Sequence, residues 1–253
     1  MPAPIRKAVV PAAGVGSRLA PLTQAIPKEL IRVGTKPVIH HVLEALRSGG
    51  VEEVLVIVGW RKGAILDYLG SGRQFGLEVA YRVQEEPKGV GHAVSLARSW
   101  VGDDEFAVMF GDNYFRPPDA VAEAFALHRR RLARATLLVH PVDDPRRFGI
   151  VKVGKGGRVR GLVEKPTLAQ ARPYRVDGYY YNIAGLLVLH PEIFRFLAQT
   201  RPGRGGEVWL TDAVEKMRRA GRAVYAHRFH GERYDVGTFE SLLEADRLAT
   251  RES

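Results

Sequence analysis

Short, almost wholly apolar runs recur through the first half of the chain, at Lys7–Ala12, Val54–Val58, Val79–Val83 and Phe106–Phe110. Between them, Pro37–Arg47, Lys62–Leu69 and His92–Trp100 carry apolar residues at the three- and four-residue intervals of a helix. A strand that is apolar on both faces must be covered on both, the condition of a parallel sheet sandwiched by helices. The alternation predicts a doubly wound α/β domain, whose ligands bind beyond the carboxyl ends of its strands.

The pattern changes in the second half. Thr136–Val142, Gly149–Val153, Val159–Val163 and Ala184–Leu189 read as strands, with Gly154-Lys155-Gly156-Gly157 as a hairpin turn. Helices are expected after Pro191 and from near Thr211-Asp212, whose side chains would cap the second one. Val224–Phe229 is a further strand and Phe239–Ala249 a closing helix. The expected architecture is one α/β domain with a mostly parallel mixed sheet of Rossmann-like winding, in which inserted strands build a second lobe. Its halves are about 1–135 and about 136–253.

Composition narrows the chemistry more than the fold. The 253 residues suffice for a large core, and 45% hydrophobic with 26% charged residues is ordinary for a soluble protein. No apolar run approaches the length of a membrane helix, and Met1-Pro-Ala-Pro-Ile-Arg-Lys has no apolar targeting segment, so a cytoplasmic protein is expected. The absence of cysteine excludes disulfides, thiolate metal sites and cysteine nucleophiles. A net charge of +10 points to anionic partners. The basic residues are dispersed, however, and the single run, Arg129-Arg130-Arg131, reads as a solvated helix end rather than a nucleic-acid patch. Phosphorylated small molecules satisfy the charge.

The segment after the first strand carries the strongest signal: Ala13-Gly14-Val15-Gly16-Ser17-Arg18-Leu19-Ala20-Pro21-Leu22-Thr23, then Pro27-Lys28-Glu29-Leu30. Glycines let backbone N–H groups approach a phosphate, Ser17 adds a hydroxyl, and Arg18 and Lys28 add positive charge. A Walker loop is absent, and the third glycine of a dinucleotide fingerprint is replaced by a path through Pro21 and Pro27.

This arrangement resembles the signature of the bacterial sugar-1-phosphate nucleotidylyltransferases, in which the loop wraps a nucleoside triphosphate. The resemblance implies that Ala12, Ala13, Gly14, Gly16 and Ser17 line the nucleotide and that Arg18 and Lys28 contact its phosphates. Within Gln84-Glu85-Glu86-Pro87-Lys88-Gly89, it implies that Gln84 reads a pyrimidine edge and Gly89 makes a backbone contact to the base. His92 is expected to line the site without acting as a base. Asp112, at the end of Phe106–Phe110, is placed where a strand-end carboxylate can hold Mg²⁺, and by resemblance Asp235 of Arg233-Tyr234-Asp235-Val236-Gly237-Thr238 is its partner. The family likeness also gives Glu164 to sugar hydroxyls, Lys165 to the sugar phosphate, and Gly149 and Gly185 to the sugar pocket. Gly205–Ala213 is expected to be structural. The halves thereby become a nucleotide-binding and a sugar-binding half, the resemblance implies a homo-oligomer, a dimer or tetramer, and the hexapeptide repeats of some relatives are absent.

The implied reaction is attack of a sugar 1-phosphate on a pyrimidine nucleoside triphosphate with release of pyrophosphate. Ala13, Pro27–Leu30 and Leu210–Ala213 are similar to the branch that uses UTP and glucose 1-phosphate, and Gly111-Asp112-Asn113 to the branch that uses dTTP. More segments favour UTP. An oxidoreductase binding NAD or FAD would need an acidic residue about twenty positions after its glycines, and Glu29 and Glu44 stand at other offsets. A non-catalytic nucleotide-binding module would not need both aspartates together with Glu164-Lys165.

Overall fold

The computed structural model describes residues 3–59 and 62–250. The first half supplies β1 (Lys7–Ala12), the two-residue pair β2 (Arg32–Val33) and β3 (Lys36–Pro37), then β4 (Glu53–Val58), β5 (Glu78–Val83), β6 (Phe106–Met109) and β7 (Asn113–Arg116). Its helices are α1 (Leu22–Ala25), α2 (Val38–Ser48), α3 (Lys62–Leu69), α4 (Val90–Ser95), α5 (Arg98–Val101) and α6 (Ala120–Arg131). The second half supplies β8 (Ala135–Val142), β9 (Gly149–Val153), β10 (Val159–Glu164), β11 (Tyr180–Leu189), β12 (Val224–Arg228) and β13 (Glu232–Asp235). With them come α7 (Leu168–Ala171), α8 (Ile193–Ala198), α9 (Leu210–Arg219) and α10 (Phe239–Thr250).

The strands of both halves join one mixed sheet. β1 pairs in parallel with β4 on one side and β6 on the other, and β5 continues beyond β4. β11 runs antiparallel to β6 and to β8, and β12 lies parallel to β8, so β11 alone reverses direction along this path. The apolar strands have the predicted reason to exist. Val10 and Val56 pack into one face of the sheet, with Ile39, Val42 and Leu46 of α2. Val9, Leu55 and Ile57 pack into the other, with Val94 of α4 and Val214 of α9. Each such aliphatic side chain contributes about 1.5–3 kcal/mol on burial. A third, smaller core joins Val33, Val38, Tyr114 and Val236 to Ala245 of α10.

β11 is where the sheet divides. Its second half pairs with β6, from Leu186↔Met109 to Leu189↔Phe106, whereas Tyr181 and Asn182 pair with Val151 and Ile150 of β9. β9 and β10 form an antiparallel hairpin closed at Gly154–Gly157, as predicted. Between the two ladders lie an irregularity in the β8 register and Gly185, whose backbone is left-handed at φ 80°. The Gly185 carbonyl accepts the N–H of Phe110 at 2.8 Å, and β6 ends at Met109, one residue short of expectation.

Other differences have local causes. The strand expected from Ala184 begins at Tyr180, because the polar-aromatic start Tyr180-Tyr181-Asn182 is paired with β8, and Tyr181 and Asn182 with β9 as well. The helix expected over His92–Trp100 is two pieces, α4 and α5. The Leu96 carbonyl between them accepts from the Arg82 guanidinium at 2.6 Å, so it turns away from a continuous helix. Arg129–Arg131 are exposed at the end of α6, as anticipated, with Arg131 over the Tyr225 ring. No helix among the described residues is long and apolar enough to cross a membrane.

A Cβ at Gly185 would stand 2.5–2.6 Å from three side-chain atoms of Asn113. Gly185→Ala must therefore meet both that overlap and a left-handed backbone that costs a side-chain-bearing residue about 1–2 kcal/mol. Its melting temperature is expected to fall by at least ~4 °C in a thermal scan. An unchanged midpoint would show that neither the overlap with Asn113 nor the left-handed backbone costs stability at this position.

Candidate active site

The strand order reverses at β1: β4 and β5 lie to one side, β6 to the other. A crevice opens there beyond the carboxyl ends, and the loop after β1 lies in it. Ala13, Gly14, Gly16 and Ser17 line a cavity of about 360 Å³ together with Lys28, Gln84, Gly89 and Asp112. Ala12 is set back, buried in the ladder opposite Val58. Gln84 is buried and donates from Nε2 to the Gly89 carbonyl (3.1 Å), with His92 Nδ1 2.8 Å from the same nitrogen. That leaves Oε1 without a partner among the described residues, in the cavity wall. His92, expected to line the site, is instead set behind Gln84 and is absent from the lining of either cavity.

The crevice floor is a compensated charge cluster. Asp112 Oδ2 accepts from Lys28 Nζ, and its Oδ1 accepts from Asn113 Nδ2 at 3.0 Å. Asn113 Oδ1 in turn accepts from Arg233 Nε at 2.7 Å. β7 and β13 form a two-stranded ladder in which Asp235 stands opposite Asn113, and Val236 N–H donates to the Asp112 carbonyl at 2.9 Å. This ladder brings Asp112 and Asp235 together, which their separation along the chain could not show. Both of its strands are short and half polar, so neither was legible as a strand.

Burial opposes the charge of Asp112, but Lys28 and Arg233 outweigh it and hold the carboxyl below its ordinary range. Asp235 goes the other way, pushed up by burial and then by the Asp112 charge. Burial by itself lowers Lys28, yet Asp112 and Glu29 prevail and raise it. Two neighbouring carboxylates, one still short of positive charge, fit a hard cation that takes a few carboxylates and completes its shell from phosphate and water. Among the described residues no cluster of three His, Cys, Asp or Glu forms a closed protein cage.

A second cavity of about 350 Å³ adjoins the first and shares Lys28, Gly89, Val90, Phe110 and Glu207 with it. Arg18, Gly149, Glu164, Lys165 and Asp235 line it, as do Arg233, Trp209 and Thr211. Lys165 has a left-handed backbone, φ 42°, uncommon for a residue with a side chain, and its N–H donates to the Phe148 carbonyl. Burial pushes Glu164 up, and its Oε2 accepts from the Thr211 hydroxyl at 2.5 Å. A Cβ at Gly149 would lie 2.6–2.7 Å from both atoms of that bond, so glycine leaves the room for it.

Three expectations are corrected here. Thr211 does not cap α9: Trp209 is the cap residue, and the Thr211 hydroxyl is committed to Glu164. Gly205–Ala213 is not merely structural, since Glu207, Trp209, Leu210 and Thr211 all line the second cavity. Gly185, expected at that pocket, instead packs against Asn113. Sequence reasoning passed over Glu29, Asn113, Arg233 and Glu207. The available signal was their position inside the quoted motifs, beside residues already singled out.

Comparison with known proteins bears on this geometry. A family model described as nucleotidyl transferase matches residues 7–252. The chain belongs to the nucleotidyl transferase family. It is 35% identical over 260 residues to a UTP–glucose-1-phosphate uridylyltransferase of Staphylococcus saprophyticus, covering 92% of this chain and 88% of that one. It is also 35% identical over 242 residues to a glucose-1-phosphate thymidylyltransferase of Streptomyces griseus, covering 96% of this chain and 65% of that one. Among solved structures, a UDP-glucose pyrophosphorylase complexed with UDP-glucose superposes with a TM-score of 0.87 at 26% identity, covering 98% of this chain and all of the other. The nucleotidyl transferase fold expected from the sequence is therefore the one observed.

Glu29 generates a prediction for this nucleotidyl transferase. It is 1% exposed, and burial pushes its carboxyl up to about 7 against the pull of Lys28. Between pH 4.5 and about 7 the unfolded chain releases this proton while the folded chain keeps it. Stability therefore falls as pH rises through that window, and the penalty is complete above it. Glu29→Gln is expected to melt several degrees above the parent at pH 8 and level with it near pH 4.5. A variant less stable than the parent at pH 8 would mean that Lys28 more than compensates the buried charge.

Proposed function

We propose that this chain transfers a nucleotidyl group from a pyrimidine nucleoside triphosphate to a sugar 1-phosphate and releases pyrophosphate, with UTP and glucose 1-phosphate as the preferred pair. The observation that carries the reading is the pair of abutting cavities that share Lys28, with Asp112 in the wall of the first and Arg18, Lys165 and Asp235 in the wall of the second. Two phosphorylated reactants can lie there with their reacting ends adjacent. The names of the relatives point the same way.

In this reading a phosphate oxygen of the sugar substrate attacks the α-phosphorus, and the bond to pyrophosphate breaks on the opposite side. The attacking group is already an anion, so no protein nucleophile or general base is needed. Positioning and charge neutralisation supply the catalysis. Ala13, Gly14, Gly16 and Ser17 hold the triphosphate, and Arg18 and Lys28 neutralise it and the leaving pyrophosphate. The free Gln84 Oε1 accepts from the N3–H that uracil and thymine share, with Gly89 against the base. Lys165 holds the attacking phosphate, Glu164 accepts from sugar hydroxyls, and Gly149 gives the ring room. Mg²⁺ on Asp112 and Asp235 would stabilise charge developing on the phosphates. The cytoplasmic, self-associating enzyme implied by the sequence is part of the same reading.

A thymidylyl reading, with dTTP in place of UTP, is favoured by Gly111-Asp112-Asn113 and by the equal identity to the Streptomyces relative. Pyrophosphate release with Mg²⁺ and glucose 1-phosphate, run in parallel over UTP, dTTP, CTP, ATP and GTP, separates the two. Release chiefly with UTP is the expected outcome, and a dTTP preference would transfer the chain to the second reading. Asp112→Asn should lower turnover by about a hundredfold or more, on the scale of losing one preorganised charge contact. Near-parental rates in that variant, or no release with any nucleotide and a range of sugar phosphates, would remove the assignment.

A further inference from the structure

Lys165 is not free in the second cavity. Its Nζ donates to Glu207 Oε2 at 3.0 Å and lies 5.6 Å from the centroid of the Trp209 ring. The same carboxylate oxygen accepts from Trp209 Nε1 at 2.9 Å. Glu207 lines both cavities, so its charge sits on the boundary between them. Its backbone is fixed on both sides: the Glu207 carbonyl accepts from Gly203 N–H at 2.8 Å, Val208 N–H donates to the Lys88 carbonyl at 2.8 Å, and Gly91 N–H donates back to the Val208 carbonyl at 2.8 Å. The Glu207 side chain therefore has an anchor that does not depend on Lys165, namely the indole N–H, and its backbone neighbourhood is tied to Gly203, Lys88 and Gly91.

A phosphate that took Lys165 would lie beside this carboxylate and be repelled by it. The ammonium cannot keep its pair with Glu207 and give its whole charge to an incoming dianion. Lys165 and Glu207 are 41% and 38% exposed at their side chains, the regime in which an ion pair is weak enough to be exchanged for a stronger one. Trp209 can hold Glu207 through that exchange.

We propose that Glu207 is a positioning residue that latches Lys165 and yields it to the phosphate of the sugar substrate, so that a doubly charged phosphate enters and weaker anions are held off. This rests on Lys165 being the sugar-phosphate ligand of the proposed reaction. Glu207→Gln keeps an oxygen for the Trp209 N–H but removes the charge, which leaves the Lys165 ammonium uncompensated.

The test is calorimetric titration of glucose 1-phosphate, and separately of inorganic phosphate, into the parent, Glu207→Gln, Lys165→Met and the double variant, with KM values for both substrates alongside. Glu207→Gln is expected to bind both anions about two- to fivefold more tightly, the span carried by a half-exposed ion pair. The KM for the sugar phosphate should fall with it while that for UTP stays unchanged, and the gain should vanish in the Lys165→Met background. Unchanged or weaker anion binding in Glu207→Gln, or a gain that survives without Lys165, would overturn the latch. A role confined to holding the Lys88–Gly91 loop would instead raise the KM for UTP, which also overturns it. If Glu207→Gln does not fold in a thermal scan, Glu207→Asp serves, since its shorter carboxylate withdraws from Lys165 and should shift affinity in the same direction. The binding arms need no turnover, so a parent enzyme without pyrophosphate release would defeat the functional reading and leave the latch to be judged by phosphate affinity.

Discussion

Asp112 stands at the end of a strand buried on both faces, where a lone carboxylate would cost several kcal/mol. Lys28 compensates it, and much of the surrounding chain is arranged so that it can. The long loop after β1 has to fold back across the sheet edge to deliver Lys28, and it carries Gly14, Gly16 and Ser17 over the crevice as it does so. Asn113 must take the other carboxylate oxygen, which sends its side chain against Gly185 and lets Arg233 reach it from β13. One buried charge thus connects the phosphate loop, the division of the sheet and the strand that brings the second aspartate.

The division of β11 does for space what that pairing does for charge. A sheet paired continuously from β6 to β9 would have left no opening beyond Phe110. Because β11 exchanges one neighbour for another at Gly185, the β9–β10 hairpin splays away, and Glu164 and Lys165 at its end face the crevice across a gap. Glycines at 149 and 185 are the backbone conditions of that gap, one for a hydrogen bond and one for a turn of the chain.

Much of this was legible because apolar runs have few ways to be buried. β1, β4, β5 and β6 announce themselves, as do α2 and α10, since their periodicity records the core that they build. The loop residues Gly14, Gly16, Arg18 and Lys28 were legible from chemistry, and Lys165 from its motif. The polar strands were not: Asn113–Arg116 and Glu232–Asp235 owe their pairing to each other and to Tyr114 and Val236 in the small third core, which no local pattern records. The bent junction of α4 and α5 was hidden for a similar reason, because it follows from a guanidinium on a neighbouring strand. Thr211 looked like a cap by position. Its hydroxyl serves a glutamate forty-seven residues earlier, a relation visible only when the fold is known.

The pairing of β11 also governs how the molecule can move. β11 is hydrogen-bonded along both edges, to β8 on one and to β6 and β9 on the other, so the two halves are stitched through a common sheet. Among the described residues they have no hinge of the kind that lets two lobes swing about a linker. Rotating one against the other would break ladder bonds in the centre of the core. Adjustment around bound molecules therefore falls to the segments that rest on the sheet without belonging to it, residues 13–30, 84–89 and 203–209. Lys88 and Val208 are bonded across two of these segments, so a displacement of either is transmitted to the other.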